Sequence, residues 1–496
     1  MVIRKLSVII SLVFFVTISL GYPQSPSLHN KRTQTFNHVL LISIDGLHQK
    51  DVDVFTTSNP NSNLASILKN SVYFTNAQAA LPTDSFPGLL AQLTGGLPKT
   101  TGVWYDNSWD GTFFAPGSKC KGSPGLNVVW DESLDVDQTV LNTTINQDLL
   151  PLRIDEEGEC VKVQPWQYLR VNTVFEVAKK HGLKTAWVDK LPAYSIVNGP
   201  SGKGVDDFYG PEIASLPDKT NLTQVEPYDN YHTVSILNWI DGKTHDGKPF
   251  SVPNIFGGNF QSLSVAQKSS SNVTGFIGGY VDANATPADQ VKNALNYIDG
   301  ILGKFINELK TKNLHDDTII VISAKHGQSP IDRTLFKKID PQLLNDTIGA
   351  DKLNQITTDD VALIWLKNHS DSKTAADSLS AKKDVLGIAE IFEGDSLKAK
   401  FGCDPNTDTR CPDIAIRVVP GVVYTTSKKK IAEHGGFNED DYHVPIIVYN
   451  PSIQQKVAND AVETRYIAPF ILSALGLDPN ELDAVVKEKT PTLPVF

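Results

Sequence analysis

Ser85 sits in the stretch LPTDSFPGLLAQLTGG, residues 81–96, with Pro82 before it and Pro87 after it. Residues 88–93 follow with helical character, and proline is tolerated in a first helical turn because its missing N–H would have no intrahelical partner. The hydroxyl therefore belongs near a helix N-terminus, where free N–H groups and the helix dipole favour an anion. That suits a serine that attacks or binds a phosphate; a turn or N-cap serine is the plainer alternative. Three other segments set a metal-capable side chain beside glycine: Asp45-Gly46, His326-Gly327 and His434-Gly435. Glycine lets the backbone come close to an ion or a phosphate. Together with Ser85 they make up the parts of metal-assisted phosphoryl transfer: hard or borderline ligands and a nucleophile that an ion can activate.

The elements that must position these residues can be read from apolar patterning. Residues 38–44, HVLLISI, form a near-continuous β-rich run, as expected of a strand buried on both faces, and it ends in Asp45. Residues 318–323, TIIVIS, repeat that pattern and run into Ala324-Lys325-His326. Ligand groups in open α/β sheets gather at such strand ends. Further strands are expected at 72–75, 184–189, 252–260 and 444–449, and helices at 63–69, 174–181, 287–312 and 463–475, the last kinked by Pro469. This alternation predicts an α/β fold: a mostly parallel sheet covered by helices on both faces. Residues 333–430 differ in texture, with many charges and strand candidates at 361–366 and 414–419. They read as an inserted, cap-like subdomain within a core of 37–332 and 431–480, followed by a tail at 481–496.

Residues 1–21 carry Arg4 and Lys5, then an apolar stretch too short to span a bilayer, then small residues, and so read as a secretory signal peptide. Residues 22–36 read as a mobile lead-in. The formal charge is −11, and loss of the leader takes it to about −13, which excludes duplex nucleic acid or an anionic membrane as the main partner. In an exported chain the four cysteines suggest two disulfides, Cys120–Cys160 and Cys403–Cys411 by proximity. Sequons at Asn142, Asn221, Asn272, Asn284, Asn345 and Asn368 fit a secreted glycoprotein. Rival motifs fail: Gly199-Pro200-Ser201-Gly202-Lys203 lacks a phosphate loop's first glycine, where Val197 stands, and Gly204 replaces its Ser/Thr. There is no GxSxG nucleophile elbow.

The ordered set resembles the alkaline phosphatase superfamily, in its type I phosphodiesterase/nucleotide pyrophosphatase branch. Ile44-Asp45-Gly46 matches that branch's first strand end, Ser85-Phe86-Pro87-Gly88 its T-F-P-N-type nucleophile segment, and Thr94-Gly95, Pro98 and Gly102 its downstream T-G, P and G. Its S-D-H-G is matched by Ser323-Ala324-Lys325-His326-Gly327, and its final H-G by His434-Gly435. The sulfatase branch fits less well, because Leu89 stands where its Arg should be. The resemblance implies that Ser85 attacks phosphorus, that Asp45 and His326 share a zinc-like ion with it, and that His434 belongs to a second ion. It also implies a phosphate-binding Asn at Asn107, or Asp106 in that place if no residue is inserted.

Two departures bear on the metal. Lys325 replaces the Asp before the His of S-D-H-G. The branch's D-x-x-G-H segment, expected ahead of the long helix, leaves Asp282 as the nearest carboxylate, with no His after it; His48, His443 and Asp289 are spare donors. The expectation is a secreted hydrolase of small phosphodiesters or related esters with one divalent ion, zinc by type, rather than two. In it the Lys325 ammonium supplies part of the missing charge. The alternative is a catalytically silent protein that keeps an anion pocket.

Overall fold

Residues 38–44 feed two separate cores, which is why the run shows no polar alternation. Val39 and Leu41 point into one apolar cluster and Leu40, Ile42 and Ile44 into another, on the opposite face of the sheet. The computed structural model describes residues 35–268 and 278–496; the expected leader, most of the 22–36 segment and the sequon Asn272 lie outside the described residues. Phe36 is described and is buried in the first cluster, so the lead-in stops short of it.

In chain order the strands of the two larger sheets are β1 (His38–Ile44), β2 (Ser71–Gln78), β3 (Thr185–Val188), β4 (Asp207–Tyr209), β5 (Ile255–Phe260) and β6 (Thr318–Ser323). They continue with β7 (Leu353–Thr358), β8 (Val361–Leu366), β9 (Ile388–Glu393), β10 (Ile414–Val418), β11 (His443–Tyr449) and β12 (Lys456–Glu463). The main sheet has eight strands in the order β12-β2-β11-β6-β1-β5-β3-β4. It is parallel except where β11 runs against β6 and β2. Register places Ser43 opposite Ser323 and Ile44 opposite Phe260, so the parallel strands end level with one another.

The helices that matter are α1 (Gln49–Ser58), α2 (Ser85–Thr94), α3 (Val174–Lys180), α4 (Leu222–Ile240), α5 (Asp289–Thr311), α6 (Ile467–Ala474) and α7 (Asp483–Glu488). Leu89, Leu90 and Leu93 of α2 join α3 and α6 in the first core. The stripe Val291, Leu295, Ile298, Leu302, Phe305 and Leu309 of α5 packs with Ile236, Trp239 and Ile240 of α4 in the second. Pro469 is the third residue of α6, where its missing N–H is harmless, so the expected kink is instead a helix start after a 3₁₀ turn at Thr464–Tyr466. Val485 of α7 and Leu493, within the tail at 481–496, pack into the first core.

Residues 333–430 contain an antiparallel sheet in the order β7-β8-β10-β9 with an apolar core of its own. Contacts nonetheless make 35–496 one unit. Disulfides join Cys120 to Cys160 and Cys403 to Cys411. Among the described residues, no helix is long and apolar enough to cross a membrane.

Candidate active site

Four neighbouring parallel strands each hand over to a polar residue at the same edge of the sheet. β1 runs into Asp45, β5 into Gln261, β6 into Lys325 and His326 after Ala324, and β3 into Asp189 and Lys190. Ser85 meets them as the first residue of α2, whose residues are all buried. Gly88 makes that approach possible, because a Cβ there would collide with the Lys325 carbonyl oxygen. The helix N-terminus is not free for an anion, however. Asp84 caps it, accepting from the Phe86 N–H at 3.0 Å, and Pro87 has no N–H to offer.

The Ser85 hydroxyl has Tyr194 of the cavity wall beside it and three charged or titratable groups of the strand ends. His326 Nε2 lies 3.1 Å from Oγ, Lys190 Nζ donates to Oγ at 3.2 Å, and Asp45 Oδ2 is 3.4 Å away. The His326 Nδ1–H donates to the Gly327 carbonyl at 2.7 Å, because a carbonyl oxygen can only accept, and that tautomer leaves Nε2 bare toward Ser85. Burial, partly opposed by Asp45, pushes His326 down to about 4, so the ring is a neutral acceptor at ordinary pH.

Asp45 Oδ1 accepts from Asn259 Nδ2 at 2.7 Å and Oδ2 from Gln261 Nε2 at 2.6 Å, with Lys190 Nζ 3.6 Å from Oδ2. Burial works against its charge, but Lys325, His326, Lys190 and the Gln261 bond hold it well below the usual carboxylate range. Burial also works against the Lys190 ammonium, and Asp45, Asp189, Asp84 and Asp106 outweigh it to raise its pKa. No motif marked Lys190; its place, just past the end of a buried parallel strand like Asp45, was the signal available.

The other expected residues divide. His434 lines the cavity and stacks on His326 with ring centroids 3.7 Å apart, and burial next to His326 keeps it well below the usual imidazole range. Lys325 does not reach Ser85. Its Nζ bonds Asp189 Oδ1 at 3.0 Å, both side chains fully buried, and lies 4.2 Å from the Tyr194 ring centroid. Asn107 is also away from the cavity, its Oδ1 accepting from Gln355 at 3.0 Å, while its neighbour Asp106 lines the wall. Asp282 caps an exposed loop by accepting from the Asn284 N–H and the Thr286 hydroxyl, and stands apart from the site. Of the spare donors, His48 is bound to Asp51 and the Gln328 N–H, His443 to the Thr75 carbonyl, and Asp289 begins α5.

These residues do not fit the expected ion. Zinc takes four ligands in structural sites and three from protein in catalytic ones. Here Asp45 and His326 converge, but the Lys190 ammonium stands beside both Asp45 and Ser85. The D-x-x-G-H spacing is met in the cavity wall by Gln261 and Val265, which bring neither carboxylate nor imidazole. Among the described residues, no group of three or more His, Cys, Asp or Glu is placed to hold a metal. A dication about 4 Å from an ammonium would meet repulsion of about 8 kcal/mol at an effective dielectric near 20.

The cavity at Ser85 has a volume of about 450 Å³ and carries Trp130, Tyr194 and Phe86 on its walls. Asp359 and Lys430, from residues 333–430, complete its rim, with Lys430 and Lys268 both paired to Glu433.

The sequence pattern of type I phosphodiesterase / nucleotide pyrophosphatase matches residues 39–442. Among solved structures the fold is similar to murine ectonucleotide pyrophosphatase / phosphodiesterase 5 in an inactive form in complex with AMP. The TM-score is 0.59 and the identity 14%, over 90% of this chain and 96% of that one. A second structure of the murine protein gives 0.58 at 14% identity over 89% and 96%, and the human protein 0.55 at 14% over 89% and 95%. No curated protein sequence matches the chain.

Proposed function

The chain belongs to the type I phosphodiesterase/nucleotide pyrophosphatase family, and from that premise we propose that it hydrolyses small phosphodiesters or related phosphorus esters through Ser85. The observation that carries this reading is the placement of Ser85 Oγ between a bare imidazole nitrogen, His326 Nε2, and the Lys190 ammonium. His326 takes the hydroxyl proton as the Oγ–P bond forms and the bond to the leaving oxygen breaks. The leaving oxygen takes a proton from cavity water as it departs, and the His326 imidazolium returns its own proton to that water, so the ring is neutral again. A second water then attacks phosphorus and gives a proton to His326, the Oγ–P bond breaks, and Ser85 Oγ takes that proton back from His326. Lys190 faces the negative charge that grows on the phosphoryl oxygens. Capture of AMP by the murine relative supports a nucleotide-sized ester, and the aromatic walls suit a planar group. Two disulfides and the N-terminal sequence support an extracellular setting.

The test is turnover of bis(4-nitrophenyl) phosphate by the purified protein and by Ser85→Ala, with mass spectrometry for a phosphoryl group on Ser85. Turnover that disappears in Ser85→Ala is the expected result. A protein that binds orthovanadate but turns over no ester in any metal condition would instead be the silent anion binder.

A further inference from the structure

We infer that the Lys190 ammonium takes the place of a divalent ion at this nucleophile, so that the site binds and turns over its phosphoryl group without a metal. The inference rests on the hydrolytic reading of Ser85 and goes beyond it. An ion that activated Ser85 would have to touch the hydroxyl and Asp45 at once. Nζ of Lys190 already does so, at 3.2 Å from Oγ and 3.6 Å from Asp45 Oδ2.

Lys190 is held in place by its own backbone. Its N–H donates to Asp189 Oδ1 at 2.9 Å, and its carbonyl accepts from the Ile213 N–H and the Tyr228 hydroxyl. Its side chain keeps 18% exposure, on the cavity side of a site whose other members are almost wholly buried. An incoming phosphoryl oxygen can therefore reach Nζ from the cavity, and Lys binds phosphate as a point charge.

Charge and donor capacity agree with this. Asp45 with Lys190, and Asp189 with Lys325, are each neutral as pairs, so neither of these two carboxylates is left over for a dication. Both Asp45 oxygens already accept side-chain amides, from Asn259 and Gln261. His326 Nε2 is the base facing Ser85, and a metal on that nitrogen would remove it. His434 Nδ1 is left buried without a partner, yet one imidazole is a single ligand.

The experiment takes the full protein as purified, measures its metal content, and strips it with dipicolinate and EDTA. Turnover of bis(4-nitrophenyl) phosphate and orthovanadate binding are then followed for wild type, Lys190→Ala and Lys190→Arg, with circular dichroism confirming the fold of each. The expected result is that stripping changes turnover less than about twofold, while Lys190→Ala lowers it about 100-fold or more and Lys190→Arg recovers part of the loss. Turnover lost on stripping and restored by zinc overturns the inference and leaves the Ser85 hydrolase standing. No turnover in stripped or zinc-loaded protein overturns the hydrolase, and vanadate then decides alone. Vanadate binding to stripped wild type but not to Lys190→Ala supports the lysine's place at the anion; binding only after zinc is added overturns it. If Lys190→Ala is unfolded, Lys190→Gln takes its place in each comparison.

Discussion

At the scale of single residues, the tautomer of His326 sets how the site should respond to pH. A base must be neutral to take the Ser85 proton, and burial holds His326 down to about 4. Log kcat/KM should therefore be level from neutrality downward and fall only as pH drops through about 4, with the fold checked by circular dichroism at each point; a limb at 6 to 7, the range of an unperturbed imidazole, would assign the base elsewhere. Lys325 and Asp189 call for a different expectation. Removing one member of a buried ion pair strands the other, which costs about 3–5 kcal/mol, whereas replacing both by apolar groups is often neutral. Urea denaturation should show Lys325→Met destabilised by about that amount, and the double variant Lys325→Met/Asp189→Leu recovering most of it. A loss in the double variant equal to the sum of the Lys325→Met and Asp189→Leu losses would mean that the pair is not coupled. That Ser85, Asp45, His326 and His434 come together was legible because each stands within two residues of a glycine or proline. Lys190 was not, because a lysine after Asp189 reads as an ordinary turn and only the fold reveals which strand end it occupies. Asp282 was misread for the converse reason: a carboxylate in the right stretch of sequence that the chain uses to cap a loop.

At the scale of elements, the contact between α2 and the β6 end determines where Ser85 sits. Gly88→Ala would push the helix away from the Lys325 carbonyl. A displacement of about 1 Å at the nucleophile can cost about 100-fold in rate, and overpacking costs about 1–3 kcal/mol. Steady-state kinetics should show the loss in kcat, with KM little changed; a fall in stability alone, with kcat intact, would show that α2 rotates without moving Ser85. The elements best foreseen were β1, β6 and β8, whose bounds match expectation, because strands buried on both faces carry unbroken apolar runs. α4 passed unnoticed: Pro227 inside it argues against a helix, and its buried face is interrupted by Asp229 and His232. Those two polar residues find partners only across the fold. Asp229 accepts from the Gln261 and Ser262 N–H groups, and the His232 ring bonds the Asn259 carbonyl. β12 was equally hidden, since most of its side chains are exposed and its partner is the distant β2.

At the scale of the whole molecule, buried titratable groups confine stability from both sides of neutrality. Burial holds His232 and His326 at about 4, below the 6.5 of an unfolded imidazole, so each withdraws stability as pH falls from 6.5 toward 4. Glu212 is pushed up to about 9 by burial and by a hydrogen bond shared with Asp135. Its unfolded form ionises near 4.5, so its contribution is whole below that value and is lost as pH rises toward 9. Glu212→Gln keeps a donor for Asp135 without the titration. Thermal melts from pH 5 to pH 9 should show the wild type losing a few kcal/mol and the variant a smaller part of it; parallel curves would exclude Glu212 as the cause.

The strand ends that meet at Ser85 are neighbours in space but far apart along the chain. Residues 45, 85, 190, 261, 326 and 434 are drawn from nearly its whole length, and β11, which lies between β2 and β6, comes after the last of them. During synthesis the half-sheet that emerges first has no partner to seat between β2 and β6, and Ser85 waits without its surroundings. Parallel pairings across such separations form slowly, since long loops must close before any contact rewards them. Assembly of the residues around Ser85 is therefore a late event in the folding of this polypeptide. On dilution from denaturant, turnover should return with the slowest folding phase rather than with the first appearance of helix.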